Sequence, residues 1–305
     1  MADPLVVASG LSKQFGPVRA LDAVDLEIPP GAVGLLGPNG SGKTTLIRLM
    51  LGLTAPTAGS LAVLGLPAPA ERVEIRRRLG YAPETESHFP GMKAIDAVTF
   101  AARLSGLPPA DAFKRSHELL NYVGLEESRY RKIETFSTGM KQRVKIAQAL
   151  VHDPKLVVLD EPTAGLDATG RDEVLDLIRD VVQRRGPSVL LSTHILPDVE
   201  RVCSHAVLLH RGRCVGSAAI SELVAGLRGR FEARFDGDAR AFERELAARG
   251  IEFVPAADGA LTLHTSAGEL DPVAVFAAAA AAGAAVRHFA PCRVTLEEAF
   301  VNRVS

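Results

Sequence analysis

The chain is predicted to be an α/β protein with a helical insertion and a small C-terminal α+β domain, on three observations. A glycine-rich loop sits between a short apolar run, Ala32 to Leu36, and a helical run, Thr44 to Leu51. Two more continuous apolar runs, Leu156 to Leu159 and Val189 to Leu191, flank an amphipathic stretch at Asp172 to Val182. Apolar strands alternating with helices belong in a parallel sheet covered on both faces. Near residue 228 the character changes and a second, shorter alternation of strands and helices begins.

Taken in order, Leu5 to Phe15 and Ala23 to Ile28 alternate polar and apolar residues, as half-buried strands do. Pro29-Pro30-Gly31 ends the second, and Ala32 to Leu36 has the composition of a strand buried on both faces. Helical spacing dominates from Glu71 to Leu150, with breaks at Pro83, at Pro90-Gly91 and at Gly106 to Pro109. The tail reads as strand Phe231 to Phe235, helix Ala239 to Arg249, strand Leu261 to Thr265, helix Val273 to Ala282 and strand Val286 to Phe289. Domains are therefore expected at 1–228, with a helical subdomain at about 84–150, and at 229–305.

Composition excludes several classes. The 305 residues carry 35 Lys+Arg against 36 Asp+Glu, a net charge of −1, so no whole-chain positive field exists to hold nucleic acid. Hydrophobic residues make up 47%, yet no apolar run reaches the roughly 18 to 20 residues that span a bilayer. Three cysteines without a CxxC spacing suggest neither a disulfide framework nor a zinc site. A reducing, intracellular location is the expectation.

Four segments carry chemistry. Gly37-Pro38-Asn39-Gly40-Ser41-Gly42-Lys43-Thr44 fits GxxxxGK[ST] at every fixed position. Its glycines let backbone N–H groups converge on phosphate oxygens, and the helix that follows presents its positive end. Lys43 is suited to neutralise phosphate and the Thr44 hydroxyl to meet Mg²⁺. Leu156 to Glu161 is a buried strand ending in two carboxylates, an expensive arrangement unless a cation or a reacting proton accounts for it. On one reading Asp160 holds Mg²⁺ and Glu161 activates water; on the other the pair caps the turn at Pro162-Thr163. Ser192-Thr193-His194 ends another apolar strand, where parallel sheets place ligands, although a lone histidine is more often structural. Phe136 to Arg143 opens an amphipathic helix behind a serine cap, which offers N–H groups to an anion or is simply a capped helix.

Together and in this order, these segments resemble the nucleotide-binding subunit of an ATP-binding cassette (ABC) transporter over about residues 5 to 225. The resemblance implies a P-loop ABC ATPase core with an N-terminal antiparallel β subdomain. It implies ATP bound by Phe15, stacking on adenine, and by Gly37, Pro38, Asn39, Gly40, Ser41, Gly42, Lys43, Thr44 and Thr45. Mg²⁺ would be held by Thr44, Asp160 and Glu84, with Glu161 as catalytic base and His194 as switch histidine. Ser137, Thr138, Gly139 and Met140 match the signature that reaches the nucleotide of a second subunit, and Asp167 the loop that crosses the interface.

Two positions depart from the common pattern: Glu84 stands where glutamine is usual, and the signature reads Ser-Thr-Gly-Met-Lys-Gln. Both look like the ATPases of ABC-2-type exporters, similar to those for antibiotic self-resistance, sodium efflux and copper-site assembly. The terminal Thr295 to Phe300 resembles a short motif of that branch. The resemblance implies a head-to-tail dimer at the cytoplasmic face of the membrane, partnered by separate ABC-2-type permease subunits. Those would dock at a groove formed by about Glu84 to Gly106, and no nucleic acid is involved. Ribosome-acting relatives carry two cassettes, and DNA-acting ones carry coiled-coil or zinc insertions; neither is present in this sequence. The C-terminal domain is expected to brace the dimer more than to sense a ligand.

Overall fold

The computed structural model describes residues 3–86, 90–225, 230–256, 259–265, 270–292 and 296. Residues up to Ile220 form one compact unit and Ser221–Asn302 a second.

In the first unit, β1 (Val6–Phe15) and β2 (Val18–Ile28) form a long antiparallel hairpin. The chain then enters β3 (Ala32–Leu36), buried along its whole length as its unbroken apolar sequence requires, and passes through the glycine loop into α1 (Lys43–Met50). From there β4 (Ala58–Val63) returns to pair with β1, and β5 (Leu66–Ala68) pairs with β4, closing an antiparallel sheet in the order β2-β1-β4-β5. Leu46, Ile47, Leu49 and Met50 of α1 share one apolar cluster with Val6, Leu21 and Val24 of this sheet and with Val33 and Leu35 of β3. Each such fully buried side chain contributes about 1.5–3 kcal/mol, so the helix behind the glycine loop is fixed between two sheets.

After α2 (Arg72–Arg78), the segment β6 (Leu79–Ala82) is a strand, although it falls within the stretch of helical spacing. Its four residues are too few to register a period of two, and it lies flush on the helical insertion: a Cβ at Gly80 would fall 2.0 Å from the Ala149 carbonyl oxygen. The insertion comprises α3 (Ala94–Leu104), α4 (Pro109–Tyr122) and α5 (Thr138–Leu150), packed on one another. Then follow β7 (Leu156–Asp160), α6 (Ala168–Asp180), β8 (Ser188–Thr193), α7 (Leu196–Val202), β9 (His205–His210), β10 (Arg213–Ala219) and α8 (Ile220–Ala225). The main sheet runs β10-β9-β3-β8-β7-β6; β10 pairs antiparallel with β9, and the remaining pairings are parallel. Helix α6 starts four residues before the amphipathic pattern because Asp167 caps it, its Oδ1 accepting from the Gly170 N–H at 2.9 Å.

Beyond α8, whose residues from Ser221 belong to it, the second unit is a β-α-β-β-α-β succession: β11 (Phe231–Asp236), α9 (Ala239–Ala248), β12 (Glu252–Pro255), β13 (Leu261–His264), α10 (Pro272–Ala281) and β14 (Ala285–Pro291). Its antiparallel sheet has the order β12-β13-β11-β14, the split β-α-β arrangement. Both helices begin on aspartate caps, Asp238 and Asp271. Phe242, Leu246, Val275 and Ala278 pack on Ala233, Leu261 and Leu263 to make a core of its own. Of the terminal motif at residues 295–300, only Leu296, fully buried, is among the described residues.

Candidate active site

The parallel strands β3, β7 and β8 end side by side, and the loops at their C-terminal ends build the site. After β3 the chain can turn as it does only with glycine. A Cβ at Gly37 would lie 2.2 Å from the Leu209 carbonyl oxygen, and Gly42 adopts a left-handed φ of 109° with 2.7 Å between its would-be Cβ and Leu21 Cδ2. The loop is thus pressed onto β9 on one side and β2 on the other. No side chain caps α1 and no acid stands in its first turn, so the helix end faces the hollow with its N–H groups and positive dipole.

Lys43 is 6% exposed. Its Nζ donates to the Gly37 carbonyl at 2.5 Å and lies 3.9 Å from Glu161 Oε1. Burial lowers its pKa, and the charges of Glu161, Asp160 and Glu84 work in the opposite direction. Ser41 Oγ is buried without a hydrogen-bond partner among the described residues, an orphaned donor that an anion in the loop would satisfy.

Asp160 and Glu161, 4% and 6% exposed, close the opposite wall. Asp160 accepts from Ser192 Oγ at 2.8 Å. Burial raises its pKa, the Ser192 bond opposes that rise, and the neighbouring Glu161 and Glu84 charges add to it. Tyr81 on β6 is pushed up to about 12, first by burial and then by the Asp160 charge. Glu161 sits at φ 47°, a left-handed conformation that a non-glycine residue adopts at a cost. The turn is held by its own N–H, which donates to the Ser192 carbonyl at 2.8 Å. Its carboxylate is held at both oxygens: Oε1 lies 2.9 Å from His194 Nδ1, and Oε2 accepts from Thr193 Oγ1 at 3.1 Å. A strained backbone that aims a doubly anchored acid at a buried ammonium is the arrangement expected of a reacting group.

The hollow between these walls has a volume of about 280 Å³ and is lined by Pro38 to Thr45, Glu84, Asp160 and Glu161, with Val18, Arg19 and Ala20 from the antiparallel sheet. Phe15 is not in this wall. It pairs with Val18 across the hairpin, 45% exposed, with Lys13 Nζ 4.8 Å from its ring centroid. Ser137, Thr138, Gly139 and Asp167 line a different hollow of about 420 Å³. There Ser137 caps α5, its Oγ accepting from the Met140 N–H at 3.3 Å.

Several contributors carry no sequence signal of their own. Arg19 and Ala20 enter the wall through strand pairing. Asp198, fully buried on α7, accepts from Thr163 Oγ1 at 2.5 Å and from Arg171 Nε at 2.6 Å. It thereby ties the loop after Glu161 and the start of α6 to the helix that follows His194. Asp198→Ala is expected to lower stability by about 2–3 kcal/mol, since a hydrogen-bonded charge pair loses its buried half. A urea midpoint that does not move, with an unchanged slope, would contradict this.

Comparison with known proteins agrees with this geometry. Residues 21–164 match the family model described as ABC transporter. The chain is 43% identical over 191 residues to the uncharacterized ABC transporter ATP-binding protein YxlF of Bacillus subtilis, a match covering 63% of this chain and 62% of that protein. It is 36% identical over 213 residues to the Nod factor export ATP-binding protein I of Cupriavidus metallidurans, covering 70% of each. The dimeric post-hydrolysis structure of the ATP-binding cassette MJ0796, bound to ADP and Pi, superposes with a TM-score of 0.64 at 25% identity, covering 70% of this chain and 98% of that one. Since the likeness extends through 70% of a relative as well as through the fold, the chain belongs to the ABC transporter family and carries its ATP-binding domain.

Proposed function

We propose that the chain is the ATP-hydrolysing subunit of an exporter, working as a head-to-tail dimer beneath separate ABC-2-type permease subunits at the cytoplasmic face of the membrane. The observation that carries this reading is the presence of two separate hollows within one chain. The phosphate loop with its carboxylates forms one hollow and the Ser137 helix end another. A second copy, turned about a two-fold axis, brings the Ser137 end of one chain over the phosphate loop of the other and so completes two equal sites. The dimeric form of the similar cassette MJ0796 supports it. The export named for the Cupriavidus relative supports the direction of transport. Among the described residues no helix is long and apolar enough to cross a membrane, and the pore is assigned to other chains.

In this reading the Gly37–Thr45 loop and Lys43 bind the β- and γ-phosphates, and Phe15 meets the adenine ring. Ser137, Thr138, Gly139 and Met140 contact the γ-phosphate from the partner, with Asp167 crossing at the interface. Glu161 takes the proton of the water attacking the γ-phosphorus as the bond to ADP breaks, and His194 holds the Glu161 carboxylate and the γ-phosphate in line. The donor set of the hollow, the Thr44 hydroxyl and the Asp160 and Glu84 carboxylates, consists of hard oxygens and fits Mg²⁺. When bound, the ion would neutralise charge on the phosphates.

The reading is tested with Ser137→Arg. A long cation replaces the small cap at the exposed helix end, which lines a hollow separate from the phosphate hollow of its own chain. ATP binding by the single subunit is expected to stay within about twofold of wild type, because distant sites act independently. ATP-driven dimerisation is expected to be lost, as followed by sedimentation. Undiminished dimerisation would show that the site is not shared between subunits.

A further inference from the structure

Helix α5 is tied to the segment that follows β6 by two lysines one turn apart. Lys141 Nζ lies 2.5 Å from Glu86 Oε1. Lys145 Nζ donates to the Pro83 carbonyl at 2.8 Å and to the Glu84 carbonyl at 2.9 Å. Spacing of four residues puts both on one helix face. The two differ in burial: Lys145 is only 5% exposed, and among the described residues its hydrogen-bond partners are neutral carbonyls. A buried ammonium without an ion pair is costly, so its charge calls for an explanation beyond bracing a helix.

The phosphate hollow supplies one. Its wall carries three carboxylates, Glu84, Asp160 and Glu161, against Lys43 and Arg19. A triphosphate entering there meets more negative charge than positive. Lys145 stands behind the wall through its bond to the Glu84 carbonyl; burial lowers its pKa, and the charges of Glu86, Glu84 and Asp160 oppose that. We propose that Lys145 is a positioning residue for the nucleotide: its two main-chain bonds hold Glu84 in the wall, and its buried charge offsets the Glu84 carboxylate against the incoming phosphates. This rests on reading the hollow as the ATP site. Because α5 begins directly behind its Ser137 cap, Lys145 joins the Glu84 side of one site to the helix end assigned to the other.

The test is a double-mutant cycle of Lys145→Met and Glu84→Gln, read as the affinity for ATP in chelator without divalent metal, and as the urea midpoint of the nucleotide-free protein. Lys145→Met alone is expected to weaken ATP binding about tenfold, and by less than about twofold in the Glu84→Gln background, a coupling of the size seen for interacting charges. A purely structural lysine predicts instead equal losses in both backgrounds, with binding following the urea midpoint. That result, or no loss of affinity in Lys145→Met, would overturn the role. Should Lys145→Met fail to fold, Lys145→Gln keeps N–H donors for the carbonyls while removing the charge, and enters the same cycle with the same expected coupling. A wild-type protein that binds no ATP would overturn the site itself and this role with it; wild-type binding with uncoupled losses overturns the Lys145 role alone.

Discussion

Glu161→Gln is expected to leave ATP bound and to cut turnover by about 10²–10⁴-fold, the range for loss of a general base. The substitution is nearly isosteric, and the amide oxygen can still accept from Thr193 Oγ1, which now donates to Oε2. The strained turn at φ 47° is untouched, because it is held through the main chain to Ser192. What the amide cannot do is take a proton, and the ionic contact with Lys43 at 3.9 Å goes with the carboxylate. Retained affinity with lost turnover separates chemistry from binding. Single-turnover hydrolysis measured beside nucleotide affinity reads both, and turnover near the wild-type rate would assign the base elsewhere.

Lys43→Ala acts at the earlier step. Its ammonium is the lysine of the hollow, which it shares with Glu161, Asp160 and Glu84. Truncation leaves those carboxylates facing the triphosphate without it and deprives the Gly37 carbonyl of its donor. Loss of charge-assisted hydrogen bonds worth about 1.5–3 kcal/mol lowers ATP affinity by about 10- to 100-fold. Titration calorimetry on the folded variant measures this, and affinity within twofold of wild type would show that the helix end and loop N–H groups bind phosphate unaided.

How much of this was legible in the sequence depends on how local each signal is. The phosphate loop is local: the glycine spacing is imposed by the contacts at Gly37 and Gly42, and the flanking strand and helix announce themselves by apolar run and by period. The acid pair is legible for the same reason, since four buried apolar residues lead into it. β6 was hidden because four residues inside a helical stretch carry too little pattern, and its identity comes from pairing with β7. In β9 and β10, histidines at the ends and small residues within blur the alternation, so the edge of the sheet is set by pairing. β12 carries no pattern of its own, because Glu252 to Pro255 lies between turn signals and is mostly exposed. Residues that act through others were the least legible. Lys145 reads as one more polar position on α5 until β6 lies against it, and Asp198 reads as an early helical acid until Thr163 and Arg171 converge on it. Phe15 illustrates the converse, a residue marked by resemblance that the single chain leaves exposed beside the hollow.

Two copies of this chain are expected to share each nucleotide. Sedimentation of the Glu161→Gln protein, with and without ATP, tests it most directly, because slow turnover holds the bound state. A monomer is expected without nucleotide, a dimer with ATP, and a monomer again when Ser137→Arg is added to the same chain. A Glu161→Gln protein that binds ATP and remains monomeric at every concentration would contradict it.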